Sequence, residues 1–282
     1  MLRDITIGQY YDVDSPVHRL DPRTKVLGTV IFIVGLFLVK SFLGFAVAGI
    51  CLLLLIRCSN IPLKFIVRGQ KSIAMLLLFT VVLNMFMVKG DVLVRIWFLK
   101  ITYQGLYTAL FMGMRLIMLV IGCSMMTLTT TPLQLTDGLE KLLRPLKKIK
   151  VPVHDIAMMM SIALRFIPIL MEETDKIMKA QSARGADFES GSLLRRAKSL
   201  IPVLVPLFIS AFRRADELAT AMEARCYRGD EGRTKMKELK YRTGDYVAMV
   251  LLLLFLLAMI FSRYLPGVRE LAGTVLTLLG VR

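Results

Sequence analysis

Residues 156–185 read IAMMMSIALRFIPILMEETDKIMKAQSARG, and residues 200–226 read LIPVLVPLFISAFRRADELATAMEARC. Each stretch opens on an apolar run and passes into a charged, helix-forming half. Charge and hydrophobicity thus alternate along two long helices, expected from about Val153 to Ser182 and from about Ser192 to Arg225. Helices of that pattern lie at a membrane boundary, apolar face inward and charged face in water. The two also end alike. Asp175 and Asp216 are each followed five residues later by Ala180 or Ala221, then by the pairs Ala183-Arg184 and Ala224-Arg225. One Arg at a helix end needs only the macrodipole to explain it, and Gly185 is an ordinary C-terminal stop. Recurrence favours two docking tips, with small neighbours that let a partner approach and Arg as a fork for its carboxylates or carbonyls.

Of 282 residues, 56% are hydrophobic and 21% charged, with a mean hydropathy of +0.63. That is too apolar for a soluble domain and too charged for a membrane bundle alone. The formal charge of +16 sits beside apolar runs, the positive-inside pattern of a membrane protein rather than the footprint of a nucleic-acid binder. Cys51, Cys58, Cys123 and Cys226 form no CxxC, and His18 and His154 stand far apart, so no disulfide, metal site or cofactor is expected. Asp4, Asp12 and Asp14 precede any apolar run, unlike a cleaved signal peptide, and predict an attached, cytoplasmic N-terminus.

Asp21-Pro22-Arg23-Thr24-Lys25 reads as a helix start, with Asp as N-cap and Pro where a missing N–H costs nothing. Val26 to Ile56 follows with one charge, Lys40. It is too long for one span and short for two, which predicts a tight hairpin of helices at 26–39 and 42–56. The connection Arg57 to Lys71 holds Arg57, Lys64, Arg68 and Lys71 without an acid and belongs on the cytoplasmic side. Ser72 to Val88 crosses outward, residues 89–104 form a short outer hairpin with Trp97 at the interface, and Gly105 to Leu128 returns.

Thr129 to Asp245 then holds 21 of the 37 Lys and Arg and 15 of the 21 acids, which marks it as the water-facing part. Thr131-Pro132 opens a helix with Leu135, Leu139, Leu142 and Leu146 along one face, and Gly229 to Lys240 is a solvated loop. Tyr246 to Ser262 is a further span. Leu271 to Val281 is short for a crossing and leaves a sixth, tilted or interfacial helix open. The expected organisation is a four-helix membrane region at 1–128, a boundary region at 129–245 and a C-terminal membrane region at 246–282. The fold class is all-α, with five or six transmembrane helices.

No GxxxxGK[ST], GxSxG or HExxH occurs, so the chain has no nucleotide cradle and is not expected to be an enzyme. Glu172-Glu173 and Asp216-Glu217 have Lys176 and Arg213-Arg214 at helical spacing and read as structural. Arg115 is the main ionisable residue in a span; snorkelling or pairing inside the protein is expected for it and for Arg165. Pro168, Pro202 and Pro206 kink or start helices. Met158, Met159, Met160, Met171 and Met178, among 18 methionines, suit a surface that repacks against different partners.

With these pieces assembled, the chain resembles the transmembrane T component (EcfT) of energy-coupling factor transporters, in the same broad family as the cobalt-transport permease CbiQ. The resemblance rests on LDPRTK at Leu20 to Lys25, TTPLQLTDGLEKLLRPL at Thr130 to Leu146, ALRFIP at Ala163 to Pro168 and the two Ala-Arg ends. It covers nearly the whole chain. One departure is Cys226, where the family often has Gly. The resemblance implies a subunit of a prokaryotic cell membrane that joins two cytoplasmic ABC-type ATPases to a small S component binding a vitamin or other micronutrient. It places the ATPase contacts at Ala183, Arg184 and Gly185 and at Ala224, Arg225 and Cys226. It places the S component on the helix faces carrying Met158, Met159, Ile162, Phe166, Leu204 and Phe208. Similarity to the shared type of T component implies several S components competing for one cradle. The rival reading is an ABC permease with its own substrate path, for which Thr80, Asn84 and Thr127 are the available polar residues; a third is a membrane scaffold without ATPases.

Overall fold

The computed structural model describes residues 10–39, 41–88, 92–96, 99–188, 192–229 and 238–264. The first helix, α1 (Pro22–Leu38), starts as its sequence demands: the Asp21 carboxylate accepts the Arg23 N–H at 2.9 Å and Pro22 fills the first position. The apolar run breaks at Val39 and resumes as α2 (Phe42–Ser59), capped by Ser41, whose hydroxyl accepts the Gly44 N–H. The run is thus two helices with a short break, as expected, but they do not form a packed hairpin: both lie mainly against the helices at Tyr103–Thr129 and Thr243–Tyr264 rather than against one another. Next, α3 (Leu63–Met87) begins at Leu63 rather than Ser72, so Lys64, Arg68 and Lys71 lie on a helix and not in a loop. After Pro62 nothing stops the helix, and the three cations recur at its own spacing.

A two-stranded antiparallel hairpin follows, β1 (Val92–Ile96) paired with β2 (Leu99–Thr102). It matches the expected hairpin, though Trp97 itself lies outside the described residues. Thr102 then caps α4 (Tyr103–Thr129), and α5 (Pro132–Leu143) gives way to a 3-10 turn at Arg144–Ile149. Pro145 cannot continue the helix, so Leu146 leaves the face that carries Leu135, Leu139 and Leu142. The two long helices are α6 (Val153–Ala183) and α7 (Leu193–Ala224), and α8 (Thr243–Tyr264) is the last. Leu271 to Val281 and residues 230–237 of the expected loop lie outside the described residues.

The chain divides into two compact units, with the breaks between Gly138 and Leu139 and between Glu238 and Leu239. In the unit formed by α1–α4, the start of α5 and α8, Leu36, Val39, Phe45, Ala48, Phe255 and Met259 form one core cluster. A second joins Leu52, Ile56, Ile61, Ile66, Met125 and Leu128. Helices meet closely where glycine removes a side chain: a Cβ at Gly35 would stand 2.8 Å from the Phe255 ring. Outside these clusters, large apolar side chains such as Leu53, Leu76, Phe79, Leu251 and Phe261 are exposed. That is the surface of a protein solvated by lipid, where every backbone polar group is satisfied within a helix.

Among the described residues, Phe42–Ser59, Tyr103–Thr129, Val153–Ala183 and Thr243–Ser262 are long and apolar enough to cross a membrane, with Ile73–Met87 as a shorter apolar segment. The inclusion of α6 rests on its first half, since Glu172 to Lys179 is charged.

Candidate functional site

The two Ala-Arg ends adopt one geometry. On α6, Arg184 is the C-cap (φ −88, ψ 6) and Gly185 turns left-handed at φ 89; on α7, Arg225 is the C-cap (φ −92, ψ 12) and Cys226 turns left-handed at φ 56. The same crossed pair of hydrogen bonds closes both. Ala186 N–H donates to the Gln181 carbonyl at 3.0 Å and Gly185 N–H to Ser182 at 3.0 Å. On α7, Tyr227 N–H donates to Met222 at 3.0 Å and Cys226 N–H to Glu223 at 2.8 Å. Each is a complete Schellman motif, which satisfies the last carbonyls within the chain and leaves the Arg side chain free of that duty. Ala183, Arg184, Gly185, Ala224, Arg225 and Cys226 are all exposed.

The helices that carry these ends run antiparallel. Gln181 Nε2 donates to the Pro202 carbonyl at 3.4 Å, and Arg214 pairs with Glu173 at 3.6 Å, so residues advancing on one helix meet residues retreating on the other. The expected partner of Glu173 within its own helix is thus replaced by one on α7. From these contacts Arg184 and Arg225 lie at opposite ends of the pair, on the order of 30 Å apart at a rise of about 1.5 Å per residue. Pro206 accounts for one of the contacts: lacking an N–H, it leaves the Pro202 carbonyl unbonded inside α7 and open to Gln181. All three prolines, Pro168, Pro202 and Pro206, lie inside helices rather than at their starts.

On the faces of this pair, Met159, Leu204 and Phe208 are exposed, while Met158, Ile162 and Phe166 are half-buried. The exposed stripe on α7 is longer than those residues: Ile201, Leu204, Val205, Phe208, Ile209 and Phe212 are all exposed, Phe212 at 72%. Ile201, Val205, Ile209 and Phe212 follow from the same i, i+3, i+4, i+7 recurrence and are the residues that sequence reading passed over.

It also passed over a polar cluster in the other unit, where LDPRTK has its structural role. Asp245, 1% exposed, accepts the Asp21 N–H at 2.7 Å and the Arg242 N–H at 2.8 Å. Asp21 holds Arg23 in a bidentate pair, with Nη2 to Oδ2 at 2.8 Å, and Arg23 also donates to the Leu239 carbonyl and stacks over Tyr241 at 4.0 Å. Lys25 donates to the carbonyls of His18 and Thr129, at 3.0 and 2.7 Å. Two acids and two cations thus bind the starts of α1 and α8 to the end of α4. His18 packs beside them, its Nδ1 2.6 Å from the Ser15 hydroxyl. Burial, then the nearby Lys25 charge, hold its pKa below the ordinary histidine value.

Arg115 pairs inside the protein: Nη2 donates to the Val39 carbonyl at 2.9 Å, and the guanidinium lies 5.3 Å from the Phe111 ring. Thr80 and Thr127 donate their hydroxyls, and Asn84 its amide, to carbonyls of their own helices.

The family described as Cobalt transport protein, CbiQ, matches residues 14–236, most of the chain and both helix ends. The energy-coupling factor transporter transmembrane protein EcfT of Thermosediminibacter oceani is 54% identical over 264 residues, covering 94% of this chain and all of that one. This chain is an EcfT-family protein. The EcfT of Clostridium kluyveri is 56% identical over 265 residues, covering 93% of this chain and 98% of its own, and that of Bacillus subtilis 47% over 262, covering 93% and 98%. An EcfT is a transmembrane component of an energy-coupling transporter, so the chain is a membrane-resident transport subunit, and its apolar exposed helices are those of such a subunit.

Proposed function

We propose that this EcfT couples ATP hydrolysis in two separate ABC-type ATPase subunits to a membrane S component that takes up a vitamin or other micronutrient. The observation that carries the reading is the duplicated Schellman end, with an exposed Arg at each of two opposite ends of one antiparallel pair. Two equal ends facing away from each other suit two equal partners. Gly185 and Cys226 lend each Arg a small neighbour, so an ATPase can bring backbone carbonyls or a carboxylate against the fork. The apolar stripe of α7 and the Met-rich face of α6 form the cradle for the S component. The chain itself carries no nucleotide cradle and acts without catalysis of its own. It sits in the plasma membrane with its N-terminus cytoplasmic, supported by the basic, acid-free run from Arg57 to Lys71. Residues 1–128 and 246–282 supply the membrane regions and 129–245 the coupling region.

ATP closing the ATPases shifts the tips, and the helix pair carries the shift to the S component. Its size is bounded by the difference in contacts between the two states. The alternative, a permease with its own path, gains little from Thr80, Asn84 and Thr127, whose polar groups are engaged by their own helices. The test is pull-down of each ATPase with Arg184→Glu and Arg225→Glu: each single substitution should release one ATPase and keep the other. Retention of both by both variants refutes the assignment, and substrate binding without any S component would favour the permease.

A further inference from the structure

Between the end of α2 and the start of α3 lies an open groove of about 660 Å³, lined by Ile50, Leu53, Leu54 and Leu63 with Arg57 and Asn60 as its polar members. The chain makes it by turning sharply: Asn60 is left-handed at φ 56, and Pro62, two residues later, is the N-cap of α3. Leu53 and Leu54 are exposed on a helix that is long and apolar enough to cross a membrane, so this wall faces hydrocarbon. At the other end Arg57 lines the groove and is exposed, as is Lys64, which follows the lining Leu63 in the chain, and Arg68 and Lys71 follow Lys64 at helical spacing along α3. No acid occurs between residues 57 and 71. The start of α3 carries no side-chain cap; Phe65 N–H donates to the Pro62 carbonyl, and the positive end of the helix dipole favours negative charge there.

We propose that this groove holds one anionic phospholipid, its acyl chain along Ile50, Leu53 and Leu54 and its phosphate against Arg57, Lys64 and the start of α3. An apolar wall, the lining Arg57 and a helix start whose next residue is Lys64 follow here in the order in which a lipid presents tail and headgroup. A basic pocket between membrane helices is a physical match for such a headgroup. A zwitterionic lipid brings its own cation to the same place and gains less. The proposal stands on the membrane character of α2 alone, so it can fail while the coupling role holds, and the reverse.

The test takes the full-length protein from nanodiscs of phosphatidylglycerol or of phosphatidylcholine into mild detergent and counts retained lipid by native mass spectrometry. Phosphatidylglycerol should be retained in preference. R57Q/K64Q should lower its retention roughly tenfold or more, at about fivefold per cation, whereas R57K/K64R should keep it and so show that a loss is not misfolding. Glycerol phosphate should not displace it. The proposal is overturned if wild type retains both lipids equally, if R57Q/K64Q retains phosphatidylglycerol like wild type, or if R57K/K64R loses it as R57Q/K64Q does. It is also overturned if glycerol phosphate competes it off, or if K147Q/K148Q, in the other unit, lowers retention as much.

Discussion

At residue scale the two tips differ in one atom group with a measurable cost. A Cβ at Gly185 would meet nothing within 4 Å, so this glycine is there for its φ of 89 alone. Gly185→Ala should therefore destabilise the α6 end by about 1 kcal/mol. Cys226 already carries that strain, and Cys226→Gly should stabilise the α7 end by about 0.5–1 kcal/mol. Hydrogen exchange of residues 218–229 measures it: slower exchange in Cys226→Gly is expected, and faster exchange would contradict the backbone reading. His18 gives a pH prediction. Its folded-state pKa is lowered, so below about 6.5 the unfolded chain binds more protons than the folded one. Stability from this group is complete above that pH and is lost as pH falls through and below it. Thermal unfolding between about pH 5 and 7.5 should show the loss in wild type and a flatter curve in His18→Gln. The Asp21 cap was legible because cap and Pro are neighbours in sequence; its bond to Asp245, 224 residues away, was not, because local pattern holds no record of a distant partner.

At element scale the proline pair in α7 makes a contact that no propensity predicts. Pro206→Ala restores the N–H that should bond the Pro202 carbonyl and so competes with Gln181. The variant should be as stable as wild type or more so, yet transport fewer substrate molecules per ATP hydrolysed. Wild-type coupling in both Pro206→Ala and Gln181→Ala would show that this contact does not transmit motion. On the exposed stripe, Phe212→Asp and Phe208→Asp should each weaken co-purification of the S component several-fold, as expected when an aromatic anchor of an interface is lost. The extent of that stripe was readable from its period. The start of α3 was readable too: Lys64, Arg68 and Lys71 sit at helical spacing, but an acid-free basic run resembles a loop when charge is weighed before periodicity.

At the scale of the whole molecule, the helix inventory was legible because apolar runs, caps and prolines are local signals. How the chain then divides was less so, since α8 joins α1 and α2 across a long stretch of chain by packing that leaves no pattern in either segment. The duplicated ends bridge the scales: two copies of one motif on oppositely directed helices in a transporter subunit. The central claim is that Arg184 and Arg225 receive the work of ATP hydrolysis from other subunits. It is tested most directly by reconstituting the complete transporter with R184E/R225E and measuring ATPase co-purification and ATP-driven substrate uptake in proteoliposomes. Loss of both ATPases, or hydrolysis without uptake, is the predicted result; a double variant that assembles and transports like wild type would contradict it.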